Sequence, residues 1–149
     1  EDFDLNYRLR RSGSKIAASN SIKAMYLVRK SLKGLFKQFY KYGFWKIKFL
    51  MTYPEEFQLR WLAPPILVFA LFFSILLVKF ISWSIFLPIA YIFILFLITF
   101  YFMIKSNSFK DLISSVILCL VFPVIHISWG VGFLYGFFHW NIKKIYQNN

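Results

Sequence analysis

The sequence predicts a mainly α-helical membrane protein, and three observations carry that prediction. Hydrophobic residues make up 59% of the 149-residue chain, yet its formal charge is +12. The charge is segregated: residues 1–60 hold thirteen of the eighteen Lys and Arg residues and five of the six acids. Residues 61–142 carry only Lys79, Lys105, Lys110 and Asp111. Between those charges lie apolar runs that a soluble domain cannot carry, because too little polar surface remains to face water. Three units follow: residues 1–30 as the end of a cytoplasmic domain, 31–60 as an amphipathic interfacial helix with its linker, and 61–149 as a helical membrane domain.

The opening "EDFDLNYRLRRSG" reads as a short helix. Its acids fall in the first turn and Arg8, Arg10 and Arg11 in the last, which complements the helix dipole at both ends. Asp4 and Arg8 stand four apart and can pair, and Gly13 is placed for a C-terminal cap. A secretory leader starts with methionine, a basic run and an apolar core. Glu1 fits none of this, so the chain is expected to be a piece cut from a longer polypeptide.

The next informative stretch is "SLKGLFKQFYKYGFWKIKFL" (31–50). Ser31 is a natural N-cap. Leu32, Leu35, Phe36, Phe39 and Tyr40 recur at helical spacing, while Lys30, Lys33, Lys37 and Lys41 recur at steps of three and four on another face. This is the pattern of a helix lying in the membrane interface, aromatics toward the acyl chains and lysines toward anionic lipid headgroups. A helix packed on protein shows a similar period.

Three apolar segments follow: Trp61–Val78, Phe80 or Trp83 to Ile104, and Leu112 to about Phe138. The first two suit one crossing each, at ~20 apolar residues per hydrocarbon core, joined by a tight turn at Lys79–Ser82. Pro64 and Pro65 fit a first helical turn, where their missing N–H groups cost little. The third is long for one crossing and contains Pro123, Gly130, Gly132 and Gly136, so a tilted span, a broken helix and a re-entrant pair all remain open. The lysine distribution places residues 1–60 on the cytoplasmic side, returns Lys105–Lys110 to that side, and leaves the side of Lys143 and Lys144 open.

The membrane segments offer little chemistry of their own. Cys119 reads as a small buried hydrophobe, His126 as hydrogen-bonded to a neighbouring helix, and His139 as interfacial beside Trp140. Gly132-x-x-x-Gly136 permits close helix contact. No Gly-rich phosphate loop, paired-Cys metal spacing or internal repeat appears, and no nucleic acid partner is expected.

The order of features resembles a family. "ED-x-DL-x-x-R-L-R-x-x-G", a β-like "SIKAMYLV", "R-x-S-L-x-x-L-x-x-Q-x-x-x-YG-x-WK", a Pro-containing junction into apolar helices and a closing "HISWGVGFLYGFF" together look like the C-terminal portion of membrane-bound family 2 glycosyltransferases. The likeness is to the bacterial exopolysaccharide enzymes of the succinoglycan glucosyltransferase type, and it covers nearly the whole chain.

The resemblance implies that residues 1–30 close a GT-A α/β catalytic domain and that about three transmembrane or re-entrant helices follow. It implies an inverting transfer from a nucleotide-sugar donor to a lipid-linked or polysaccharide acceptor, by a multi-pass protein of a bacterial-type inner membrane. A divalent metal, Mg or Mn, is implied for the intact enzyme, with its Asp-x-Asp ligands outside this piece and no metal site within it. Asp2 matches the catalytic base, since a carboxylate can take the acceptor's proton as the oxygen attacks, and Glu1 is its orienting neighbour. Substrate contacts fall on Arg29, Gln38, Lys41, Tyr42 and Trp45. Processive relatives carry Gln-x-x-Arg-Trp where this chain has Gln38-Phe39-Tyr40-Lys41-Tyr42. Lys41 lacks the two-pronged guanidinium and Tyr42 replaces Trp, which favours transfer of a single residue. The piece alone is expected to be inactive. The competing reading is a non-enzymatic basic multi-pass membrane protein, a transporter subunit or scaffold, with the acidic opening only a helix cap.

Overall fold

The computed structural model describes residues 2–17, 19, 21–25, 27–106 and 108–148, the side chains of residues 2 and 144–148 excepted. Among the described residues the chain is helical, with no strand: α1 (Asp2–Arg11), α2 (Leu32–Thr52), α3 (Ala63–Leu77), α4 (Phe86–Ile104) and α5 (Phe109–Asn148), with short 3₁₀ turns ahead of α3 and α4.

Local grammar accounts for the helix ends. Gly13 takes a φ of 79°, a left-handed conformation that suits glycine. Around it the amides of Ser12, Gly13 and Ser14 donate to the carbonyls of Arg8, Arg10 and Leu9. Asp4 pairs with Arg8 at 3.0 Å. The Gly34 amide donates to the Ser31 hydroxyl at 3.1 Å, so Ser31 caps α2 as expected. Pro64 and Pro65 sit in the first turn of α3. The β-like stretch 21–28 forms no strand among its described residues. An extended segment needs a neighbouring strand to satisfy its amides and carbonyls, and none occurs among the described residues.

Three stretches, Leu59–Leu77, Ser82–Ile104 and Phe109–Lys143, are long and apolar enough to cross a membrane. Their outward faces carry exposed Phe72, Ile92, Phe93 and Phe96, a surface suited to lipid. The Ser84 hydroxyl donates to the Ser74 carbonyl at 2.8 Å and the Ser74 hydroxyl donates to the Ser84 carbonyl, closing the turn between α3 and α4. Tyr91 and His126 Nδ1 meet at 3.1 Å, joining α4 to α5 and giving His126 the helix-to-helix bond expected of it.

The third apolar segment is neither broken nor re-entrant. It is one 40-residue helix that runs through Pro123. At a rise of 1.5 Å per residue α5 is about 60 Å long, about twice the hydrocarbon thickness.

The second half of α5 is occupied by α2. The contact pairs Tyr40 with Gly132, Phe44 with Gly136 and Lys48 with Trp140 advance by four on both helices, so the two run parallel. Glycine allows the approach. A methyl group added at Gly43 would run into the Trp129 carbonyl and lie 2.8 Å from the Phe133 nitrogen, and one at Gly136 would lie 2.9 Å from the Phe44 carbonyl. Ile47, Leu50 and Phe133 form the buried centre, flanked by Trp61, Leu62 and Trp129. The apolar stripe of α2 is therefore divided: Gly43, Ile47 and Leu50 face protein, while Lys33, Lys37, Lys41 and Lys48 remain exposed.

This packing fixes which part of α5 lies beside α2 and α3. Gly130 lies against Pro64, the start of α3. Twenty-one residues separate it from Phe109, about 31 Å of helix and one hydrocarbon thickness. The α4–α5 connection and the α2 contact thus lie toward opposite ends of α5. Lys143 travels with α2, which accommodates the basic tail without a re-entrant segment. In a Cys119→Ala background, single cysteines at Ser12 and Ser108 are expected to react with an impermeant maleimide from opposite faces of sealed vesicles. Labelling of both from one face would refute this arrangement.

Candidate functional site

A cleft of about 1040 Å³ lies where α1, α2, the approach to α3 and the middle of α5 converge. Its walls differ in chemistry. Lys41, Lys46, Lys48 and Arg60 line it with positive charge, and Asp4 is the carboxylate among the lining residues. Phe3, Trp45, Phe49 and Trp61 supply ring faces, and Pro64, Ile125 and Trp129 close the side nearest the apolar helices. An anionic head on an apolar or ring-bearing body matches these walls, because cations and ring faces recognise different parts of one molecule.

α1 forms a wall of the cleft because its aromatic side chains dock on α2. Tyr7 is buried, with its ring 4.2 Å from that of Tyr53 and 5.9 Å from that of Phe49. Its hydroxyl donates to Glu55, which holds the Glu55 carboxyl below its usual range and raises the Tyr7 phenol. Arg11 lies 3.7 Å from Glu55 and Arg10 lies 3.5 Å from Glu56. These pairs are largely exposed and contribute little each, so the rings carry most of the attachment.

Lys46 is the unusual group. It is only 7% exposed, and its ammonium has no hydrogen-bond partner among the described residues. Nζ instead lies 3.1 Å from the centre of the Phe3 ring, 4.2 Å from Trp61 and 5.4 Å from Phe49. Burial, then the nearby Arg60 charge, lowers its pKa from 10.5 to about 8. Between those two values the unfolded chain holds a proton that the folded chain has released, so stability rises with pH from about 8. The rise ends near pH 10, where Tyr7, Tyr40 and Tyr53, whose pKa values are raised from 10.0, begin to favour the protonated folded state. Thermal unfolding in detergent is expected at a higher temperature at pH 9.5 than at pH 7.5. The difference should vanish in Lys46→Met, and its persistence there would assign it to another group.

The residues singled out from the sequence are partly brought together. Lys41, Tyr42 and Trp45 all line the cleft. Gln38 joins them through an amide donated to the Tyr42 hydroxyl at 2.7 Å. Arg29 stands on the irregular segment ahead of α2 and is not among the lining residues. Glu1 and the Asp2 side chain lie outside the described residues. The backbone of Asp2 begins α1 one residue from Phe3, which lines the cleft.

Sequence reasoning missed Lys46, Lys48, Arg60 and Trp61. For Lys46 a signal was present: it lies three residues after Gly43 and four before Leu50, on the buried stripe and off the lysine face. No family model, curated protein or solved structure matches this chain.

Proposed function

We propose that this chain is the C-terminal portion of an inverting, membrane-bound family 2 glycosyltransferase. It transfers a sugar from a nucleotide-sugar donor to a lipid-linked or polysaccharide acceptor, with residues 1–60 on the cytoplasmic face. The observation that carries the reading is the shared cleft. Three of the five substrate contacts implied by the resemblance, Lys41, Tyr42 and Trp45, line one cavity with the first turn of α1, where the implied base resides.

In this reading the acceptor hydroxyl approaches the first turn of α1 and Asp2 takes its proton as the oxygen attacks the anomeric carbon. The helix N-terminus favours the ionised carboxylate. Lys41 and Lys48 offset negative charge on the reacting complex, and Trp45 offers a flat face to a sugar ring. No group of three metal-binding side chains occurs among the described residues. In this reading a divalent metal would be held by the Asp-x-Asp motif of the donor-binding half that the resemblance implies, where it would offset charge on the donor diphosphate.

The test is made on the full-length polypeptide that contains this chain. Reconstituted in lipid nanodiscs with donor and a membrane-extract acceptor, it is expected to release nucleoside diphosphate in step with sugar incorporation. An initiating methionine directly ahead of Glu1 would remove the reading in favour of a non-enzymatic membrane protein.

A further inference from the structure

Lys46 is held in an arrangement that does not satisfy it. An ammonium carries three donors, and in place of acceptors it has the faces of Phe3, Phe49 and Trp61. Neither a neighbouring carboxylate nor water-exposed surface relieves it: Asp4, on the cleft wall, pairs with Arg8 at 3.0 Å. Lys41, Lys48 and Arg60 line the same cleft, so excess positive charge faces the space into which Lys46 looks. The group is buried, has no hydrogen-bond partner among the described residues, and lines a cationic cavity suited to an anion.

We infer that Lys46 is a ligand-operated latch: a phosphate group entering the cleft draws the Lys46 ammonium off the Phe3 ring and frees the first turn of α1 from α2. The exchange favours the anion because it supplies hydrogen-bond acceptors and opposite charge where the rings supply only quadrupoles. Motion is confined to the first turn, since Tyr7, one turn later, stays wedged on Tyr53 and tied to Glu55. The latch follows from the geometry of the cleft and holds whether or not the chain transfers sugar. If it does, Asp2 sits on the turn that is freed, and ligand arrival sets the base in motion. Lipid and soluble phosphates share the recognised chemistry.

Linkage makes the proposal sharp, because a ligand that loosens Phe3 must bind more tightly once Phe3 is gone. In a Cys119→Ala chain, nitroxides placed at Leu5→Cys and Lys37→Cys report the separation of the two helices by pulsed electron paramagnetic resonance in nanodiscs. Nanodiscs containing phosphatidic acid in phosphatidylcholine are expected to lengthen and broaden the distance distribution relative to phosphatidylcholine alone. A response to inorganic phosphate in phosphatidylcholine nanodiscs assigns the trigger to a soluble anion, and a response to phosphatidic acid alone assigns it to a lipid. Lys46→Met, with the helical circular dichroism of the parent, is expected to abolish the response, and Lys46→Arg to keep it. Phe3→Ala is expected to lower the half-saturating phosphatidic acid fraction by about threefold or more. No lengthening with either phosphate, or lengthening that survives Lys46→Met, overturns the latch.

Discussion

Replacing Gly43 by valine is expected to part α2 from α5 and to destabilise the chain by about 3 kcal/mol or more, the upper end of what overpacking costs. The added carbons have no direction in which to escape. A methyl group at this position would run into the Trp129 carbonyl and lie 2.8 Å from the Phe133 nitrogen, both backbone atoms of a continuous helix. Side chains can rotate away from such a clash, whereas helical backbone can respond only by moving the whole helix. That movement would reopen the packing of Ile47, Leu50 and Phe133. Gly34→Ala is the control, because its methyl meets the movable Ser31 hydroxyl at 3.2 Å and no backbone. Unfolding followed by circular dichroism in detergent should separate the two variants by roughly 6–12 degrees if the seam is real. Equal melting would mean that α2 does not pack there.

The second large effect concerns chemistry. On the proposed transferase reading, Asp2→Asn in the full-length polypeptide is expected to lower sugar transfer by ~10²–10⁴-fold, the usual contribution of a positioned general base. The amide keeps the shape of the carboxylate but cannot take the acceptor's proton at neutral pH. On that reading donor binding should persist, because the resemblance implies a donor site outside these residues. Asp4→Asn is the informative neighbour: it loses the pair with Arg8 at 3.0 Å, an exposed contact of small energetic weight. Asp2→Asn enzyme with parental turnover would end the assignment, and an equal loss in Asp4→Asn would point to the stability of α1 as the cause.

How much was legible depended on whether a feature is written in nearby residues. The cap at Ser31, the Asp4–Arg8 pair, the left-handed Gly13 and the prolines opening α3 all follow from spacings of a few residues, and each is present. The apolar segments were legible because membrane-spanning length is a property of composition. The partner of α2 was not. An amphipathic stripe states that something apolar covers it without saying whether that is lipid or protein, and Gly43 and Gly132 gain meaning only when each meets the other helix, Gly43 at Trp129 and Phe133 and Gly132 at Tyr40. The continuous course of α5 was hidden for a related reason, since Pro123 weakens a helix locally while its neighbours hold it. The β-like 21–28 misled in the opposite direction, because strand propensity is realised only beside another strand.

The parallel seam between α2 and α5 also sets an order in time. Tyr40 and Gly132 are 92 residues apart, and at ~5–20 residues per second of synthesis the second arrives roughly 5–20 seconds after the first. Through that interval α2 exists without its partner, its Gly43–Ile47 stripe uncovered. A bilayer surface is an apolar phase that can cover it, and the lysines opposite the stripe are suited to hold the helix there until α5 is made. The amphipathic pattern thus suits two successive neighbours, headgroups and acyl chains during synthesis and then the glycine face of α5. A ribosome-bound chain truncated before residue 129 should accordingly carry an α2 protected by lipid rather than by protein, with its final contacts still to be exchanged.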